Sequence, residues 1–397
     1  MSGPPTDVAR KRVILHVGAP KSGTTYLQNV LSKNKDLLAD NGVLYPYSTP
    51  AESFRSMLDF RGVGWGGSRR SAYRGEWADV AQRACDWTGH TVLVSNELLG
   101  GARPKRIARG LASVQPADVH VVFTARDFAR QLVSDWQEHI KHKHTVPLEQ
   151  FVDDLVQHGI EAPAPFGKMF WGMHDAGFVL QRWAQSVPEE NIHLVTVPHK
   201  GAPSSTLWRR FCEATGLDAD SYDTEVKRSN PSMGVAEAEL IRRMNFAVKG
   251  MADETYDALV RRMLAEDVLG GQSARIALPA GRMQWAEDRS RQLIDDLGRT
   301  GYRVVGDLQE LMPVPAEHDP YVSPSALVEA DLGPAAIRAA TSLLKLSGRQ
   351  RQRIAGLERA LVGDPHTRPS LRGRAADHYS ALRGLIAGQA TRVGRRR

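Results

Sequence analysis

The stretch Val13-Ile-Leu-His-Val-Gly18-Ala-Pro-Lys21-Ser-Gly23-Thr-Thr-Tyr-Leu-Gln28 decides how the rest of the chain is read. Residues 13–17 form a short β-rich apolar run, and a glycine-bearing loop follows it. From 25 to 40, Leu27, Val30, Leu31, Leu37 and Leu38 recur on one helical face. Strand, loop and helix in that order turn the free amides of Ser22, Gly23, Thr24 and Thr25 toward one spot. The helix dipole makes that spot favourable for an anion. Lys21 adds a full positive charge, Gly23 permits close backbone approach, and Thr24 and Thr25 add hydroxyl donors.

Working outward, further strand-like runs fall at 92–95, 119–124 and 192–197. Helical patterns continue to about 142, over 204–215, and near 235–248, 256–264 and 282–297. This alternation predicts an α/β fold, a P-loop-like parallel sheet flanked by helices. Two aromatic, glycine-bearing stretches, 62–77 and 162–178, are predicted as loops that line a site or simply pack. Pro313, Pro315, Pro320 and Pro324 mark a linker. The expected organisation is a domain over 11–311, a proline-rich linker over 312–333, and a basic, mainly helical C-terminal extension over 334–397.

Composition narrows the classes. The chain has 397 residues, 42% hydrophobic and 24% charged, which excludes disorder throughout. Cys85 and Cys212 are the two cysteines, too few and too far apart for a disulfide framework or a cysteine-rich zinc site. They fit a reducing compartment. The polar N-terminus has no signal-peptide core, and no apolar run is long enough for a transmembrane segment. A cytoplasmic protein is expected. The net charge of +7 is unevenly placed. Residues 334–397 hold 14 Lys and Arg against Glu358, Asp364 and Asp377, a local excess of +11 that leaves the remainder at −4. The global charge therefore says nothing about nucleic acid binding by the main domain, and no nucleic acid is expected as a partner. Ile354, Leu357 and Leu361 lie at helical spacing among arginines, which predicts a basic amphipathic helix for self-association, docking on the main domain or peripheral membrane contact.

The loop differs from a Walker A sequence at a meaningful point. Four residues separate Gly18 from Gly23, but Thr24 stands where the polyphosphate lysine belongs, and Lys21 comes two positions before Gly23. Pro20-Lys-Ser-Gly-Thr-Thr25 resembles the 5′-phosphosulfate loop of sulfotransferases that use 3′-phosphoadenosine 5′-phosphosulfate (PAPS). The resemblance implies that Lys21, Ser22, Gly23, Thr24 and Thr25 grip the donor's 5′-phosphate, with Lys21 at the oxygen bridging phosphorus and sulfur. A second motif strengthens it. Arg126 closes the run Val121-Val-Phe-Thr-Ala-Arg126, and Ser134 follows eight residues later, the spacing of the family's 3′-phosphate site. Eight residues of continuous helix span about 12 Å, so the chain must turn between them for both to meet one phosphate. The plain alternatives are a strand-to-helix turn with a surface lysine and a strand-end ion pair. The resemblance covers about 11–311, and 227–232, a basic turn, is a further candidate for the 3′-phosphate.

Sulfuryl transfer needs a base for the acceptor hydroxyl and a cation at the leaving group, and no metal. Glu97, just past the strand at 92–95, is the expected base; a helix-start carboxylate is the alternative. His174 is the next choice, in a core or at an acceptor pocket. His139, His142 and His144 are expected on a solvated face. The implied function is O-sulfation of a carbohydrate, glycolipid or small-molecule hydroxyl, with PAPS as co-substrate. The rivals are a P-loop kinase or nucleotide hydrolase and a non-catalytic nucleotide- or polyanion-binding protein.

Overall fold

The computed structural model describes residues 10–66, 68–226, 232–314 and 321–362. All but the last residue of the expected basic turn at 227–232, part of the linker and the chain beyond 362 lie outside the described residues. Six strands build one sheet: β1 (Lys11–His16), β2 (Val43–Leu44), β3 (Thr91–Ser95), β4 (Ala117–Ala125), β5 (Ile192–Thr196) and β6 (Arg303–Val305). Their order is β2-β3-β1-β4-β5-β6, and every neighbouring pair is parallel. This is the α/β parallel sheet flanked by helices that the alternation predicts.

The central strands are buried on both faces, so they read as unbroken apolar runs. Val13, Ile14 and Leu15 are buried, with Val13 paired to Val92 on one side and Val119 on the other. Because β1 leads toward β3 and β4 leads the other way, the connections diverge between β1 and β4. Such a divergence opens a crevice at the carboxyl ends of the two strands.

Helices cover the sheet: α1 (Thr24–Lys33), α2 (Lys35–Asp40), α3 (Pro50–Arg61), α4 (Glu76–Asp86), α5 (Pro104–Ala112), α6 (Phe128–Lys141), α7 (Leu148–His158), α8 (Phe166–Met173), α9 (Ala176–Trp183), α10 (Thr206–Thr215) and α11 (Val235–Ala247). Next come α12 (Asp253–Tyr256), which continues as wider turns over Asp257–Val268, then α13 (Met283–Leu297) and α14 (Glu329–Val362). The described residues form two compact units, one up to Ala335 and one from Ala336. In the second, α14 is helical to Val362, and Ile354 and Leu357 are exposed.

Several local expectations are corrected. The helix expected over 25–40 breaks at Asn34, whose side chain donates to the Val30 carbonyl and to the Asp223 carbonyl across the fold. Strands β2 and β6 are edge strands of two and three residues, too short for a pattern to reveal. The stretch 162–178 is not loop throughout: it holds all of α8 and the first residues of α9. Its prolines lie before α8, and Asp175 caps α9 by accepting from the Phe178 amide. Phe166 and Phe170 are buried there. Within 62–77, a 3-10 turn spans Arg70–Tyr73 and α4 begins at Glu76. Further along, Tyr321, Ser323 and Ser325 all donate to the Glu149 carboxylate on α7, which holds that strap to the body.

Candidate active site at the carboxyl ends of the central strands

The loop from Val17 to Gly23 leaves β1 at the crevice, and α1 starts directly after it. Gly23 holds φ +89 and Lys21 φ +61, so the chain folds back tightly on itself. A Cβ on Gly23 would stand 2.4 Å from Leu207, and the left-handed φ disfavours a side chain independently. The ladder of α1 begins with the Leu27 amide on the Gly23 carbonyl, 3.2 Å. The preceding first-turn amides have no acceptor within the helix and are the donors available to an anion.

The loop is strapped from below by β4. Thr124 donates to the Gly18 carbonyl from its amide at 2.6 Å and from its hydroxyl at 2.8 Å, and the Ala19 amide donates to the Thr124 carbonyl. Ser22 Oγ bonds Thr124 Oγ1 and the Ala19 carbonyl. The Ser22 hydroxyl is therefore spent on the loop, and only its amide is available to a ligand. Beneath lies His16, with Nδ1 2.8 Å from Ser95 Oγ and Nε2 3.4 Å from Thr124 Oγ1. Burial pushes its imidazole down to about 4, so the ring is neutral at pH 7.

Arg126, at the end of β4, meets this loop. Asp127 caps α6 by accepting from the Arg130 amide, so the helix begins at Phe128 and the chain turns at once. Arg126 Nη1 then donates to the Lys21 carbonyl at 2.9 Å and to Ser134 Oγ at 3.1 Å. The turn that the eight-residue spacing demanded is present, and it brings Ser134 to Arg126 and Arg126 to the loop. Arg126 Nε is buried without a hydrogen-bond partner. Burial, with the nearby Arg130 charge, pushes the Arg126 guanidinium down to about 10. It stays charged at pH 7, half-buried, with no carboxylate in ion-pair range among the described residues. A half-buried cation lacking an acid partner fits an anionic ligand.

Lys21 carries its ammonium 3.1 Å from Glu138 Oε2 on α6. Glu138 also lies 3.7 Å from Lys141 Nζ and 3.4 Å from His142 Nε2. Burial would raise the Glu138 carboxyl, but Lys21 and the other cations hold it well below the usual carboxylate range. Its side chain is one-third exposed, so the pair is open to solvent and exchangeable. Thr24 is buried and Thr25 exposed at the first turn of α1.

Glu97 opens a 3-10 turn directly after β3, with Asn96 as its cap. Its Oε2 accepts from Gln28 Nε2 at 2.8 Å, and its carbonyl lies 3.6 Å from where a Cβ on Gly18 would stand. It thus borders the loop from the side opposite Arg126. His174 does not. It is buried, with both ring nitrogens engaged in the core, Nδ1 on Gln131 and Nε2 3.0 Å from Asp135 Oδ1. Nor is His139 on a solvated face: it is buried 3.4 Å from Asp135 and packed against Phe151 and Phe166. His142 is exposed, as expected, and His144 is partly exposed.

Sequence reasoning missed His16, Thr124, Gln131 and Glu138. Thr124 and His16 carried a signal, as polar residues in apolar strands beside the two motifs. Gln131, whose amide reaches the Pro20 carbonyl at 2.7 Å, and Glu138 carried none. Both lie on α6 more than a hundred residues from the loop they touch.

Against known proteins, no family model matches this chain, and no curated protein matches it. Among solved structures it is similar to the crystal structure of a sulfotransferase from Alicyclobacillus acidocaldarius, at 18% identity and a TM-score of 0.34 over 65% of this chain and 98% of that one.

Proposed function

We propose that this protein is a sulfotransferase that moves the sulfuryl group of PAPS to a hydroxyl of a carbohydrate, glycolipid or small-molecule acceptor. The observation that carries the reading is the convergence of Arg126 Nη1 on Ser134 Oγ and on the Lys21 carbonyl, at 3.1 and 2.9 Å. It joins a site for a second phosphate to the loop that would hold the first. In this assignment the amides of Ser22, Gly23, Thr24 and Thr25 receive the 5′-phosphate, helped by the Thr24 and Thr25 hydroxyls. Arg126 and Ser134 take the 3′-phosphate, which ATP lacks.

Transfer is an in-line displacement at sulfur. The acceptor oxygen forms a bond to sulfur while the bond from sulfur to the bridging phosphate oxygen breaks. The acceptor proton passes to Glu97, and the electron pair of the broken bond stays on the phosphate of adenosine 3′,5′-bisphosphate. Lys21 stabilises that growing charge, a contribution of about 10²–10³ in rate for one well-placed donor. Glu138 holds the Lys21 ammonium when no donor is bound and yields it to the more highly charged phosphosulfate.

The test is thermal. Adenosine 3′,5′-bisphosphate without magnesium should raise Tm, and ATP should do little. Equal stabilisation by magnesium-ATP would overturn the assignment in favour of a nucleotide hydrolase or kinase.

A further inference from the structure

A concavity of about 500 Å³ lies beside α3 and α5, lined by Asp59, Arg70, Ser71, Arg74, Arg106 and Arg109. Four of its six lining residues are arginines, and one is an acid. That acid is already engaged: Asp59 Oδ2 accepts from the amides of Gly75 and Trp77, where it caps α4. Among the described residues, none of the four arginines has a carboxylate within ion-pair distance. Arginines on the adjoining helices α3 and α4 do, since Arg55 pairs with Glu76 at 2.7 Å and Arg83 with Glu52 at 2.6 Å. Like charges gathered in a concave wall repel one another and focus their field inward, which favours an anion there. Burial and the charges of Arg70, Arg109 and Arg103 hold the Arg106 guanidinium below its ordinary value. Arg106 is also set in place: its guanidinium lies against Gly62, where a Cβ would fall 2.2 Å from Nη2.

The same segment links this wall to the candidate active site. Arg70 and Arg74 come from the stretch after α3, and so does Trp65. The Trp65 ring is 40% exposed and stands 5.7 Å from that of His142, which itself lies 3.4 Å from Glu138, the partner of Lys21. Arg70 lies five positions after Trp65, so their backbones are at most about 18 Å apart. An elongated ligand can therefore touch the arginine wall and the neighbourhood of Lys21 together.

We infer that the arginine concavity is a docking site for the acidic groups of an anionic carbohydrate chain, and that this chain is the acceptor, a step that rests on the sulfotransferase reading. Guanidinium forks match the two oxygens of a carboxylate and the oxygens of a sulfate ester, and both groups share this chemistry. An aromatic face such as Trp65 suits the apolar side of a sugar ring. Nucleic acid fits the surface less well. It demands an extended basic stripe, whereas the chain outside 334–397 carries −4 and gathers these unpaired charges in one concavity.

The experiment is calorimetry on the full chain and on the Arg106→Gln/Arg109→Gln variant, with three probes of matched charge: tetragalacturonate, a sulfated maltotetraose and a single-stranded oligonucleotide. At least one of the two saccharides should bind the parent protein and bind the variant at least tenfold more weakly. The carboxylate and sulfate arms then tell which acidic group is preferred. Affinity for adenosine 3′,5′-bisphosphate should be the same in both proteins, which also shows that the variant is folded. If adenosine 3′,5′-bisphosphate fails to bind either protein while the saccharide difference persists, the docking site stands and the donor assignment falls. Equal saccharide affinity in the two proteins would place binding on the basic extension and overturn the inference. So would an oligonucleotide that binds as tightly as the saccharides and loses as much in the variant.

Discussion

Replacing Arg126 with alanine separates a 3′-phosphate site from a merely structural arginine. The side chain makes two contacts, to the Lys21 carbonyl at 2.9 Å and to Ser134 Oγ at 3.1 Å. A charge-assisted hydrogen bond to a 3′-phosphate contributes roughly 1.5–3 kcal/mol, which corresponds to about ten- to a hundredfold or slightly more in Kd. Loss of the bond to Lys21 loosens the loop, at about 1 kcal/mol, or about fivefold, and that loss falls on every nucleotide alike. Two ligands resolve the two effects. Adenosine 3′,5′-bisphosphate should lose both contributions, on the order of 10² in affinity, whereas adenosine 5′-monophosphate should lose only the second. Calorimetry of wild type and Arg126→Ala at one ionic strength measures the ratio. Ser134→Ala should shift it in the same direction by a smaller factor, about three- to tenfold, because a neutral hydroxyl is a weaker partner. If Arg126→Ala weakens the two nucleotides equally, the arginine serves only the Lys21 carbonyl, and the 3′-phosphate assignment is refuted.

The remaining predictions follow from the same geometry. Glu97→Gln keeps the shape that receives the Gln28 bond, so donor Kd should be unchanged while turnover falls by about 10²–10⁴; near-normal turnover on the acceptor would move the base elsewhere. Asp135→Asn should destabilise the protein by about 3–5 kcal/mol at pH 7, because it leaves His174 and His139 facing a neutral partner in the core. Burial alone would raise the Asp135 carboxyl, but His174 and His139 hold it well below the usual carboxylate range. Its contribution is therefore complete above the unfolded value of about 4 and is lost as pH falls below that toward the depressed folded value. Urea midpoints should drop more steeply with acid in wild type than in Asp135→Asn, and parallel slopes would disprove the coupling. Truncation after Ala335 retains the hydroxyls that bind Glu149 and should preserve affinity for adenosine 3′,5′-bisphosphate, whereas loss of binding in a folded truncated protein would show that the extension completes the site.

What the sequence determined by itself is what local chemistry controls. An apolar run, a glycine loop and an amphipathic face within residues 13–40 are enough to specify strand, loop and helix, because backbone hydrogen bonding and side-chain periodicity act over a few residues. The same holds for Arg126 and Ser134, eight residues apart across one capped turn, and for the alternation that predicts a parallel sheet. Strands β2 and β6 escaped because two or three residues carry no period, and they gain their hydrogen bonds only from a neighbour already in the sheet. The charge environment of the site escaped for a related reason. Lys21 meets Glu138, Gln131 meets Pro20, and His174 is closed off by Asp135 across separations of 39 to 117 residues. The arginine concavity likewise draws on α3, the segment after it and α5. Which of these side chains meet is set by the order in which the strands assemble and by the helices that the sheet then brings side by side. That order arises from the packing of the whole core, and no local pattern encodes it.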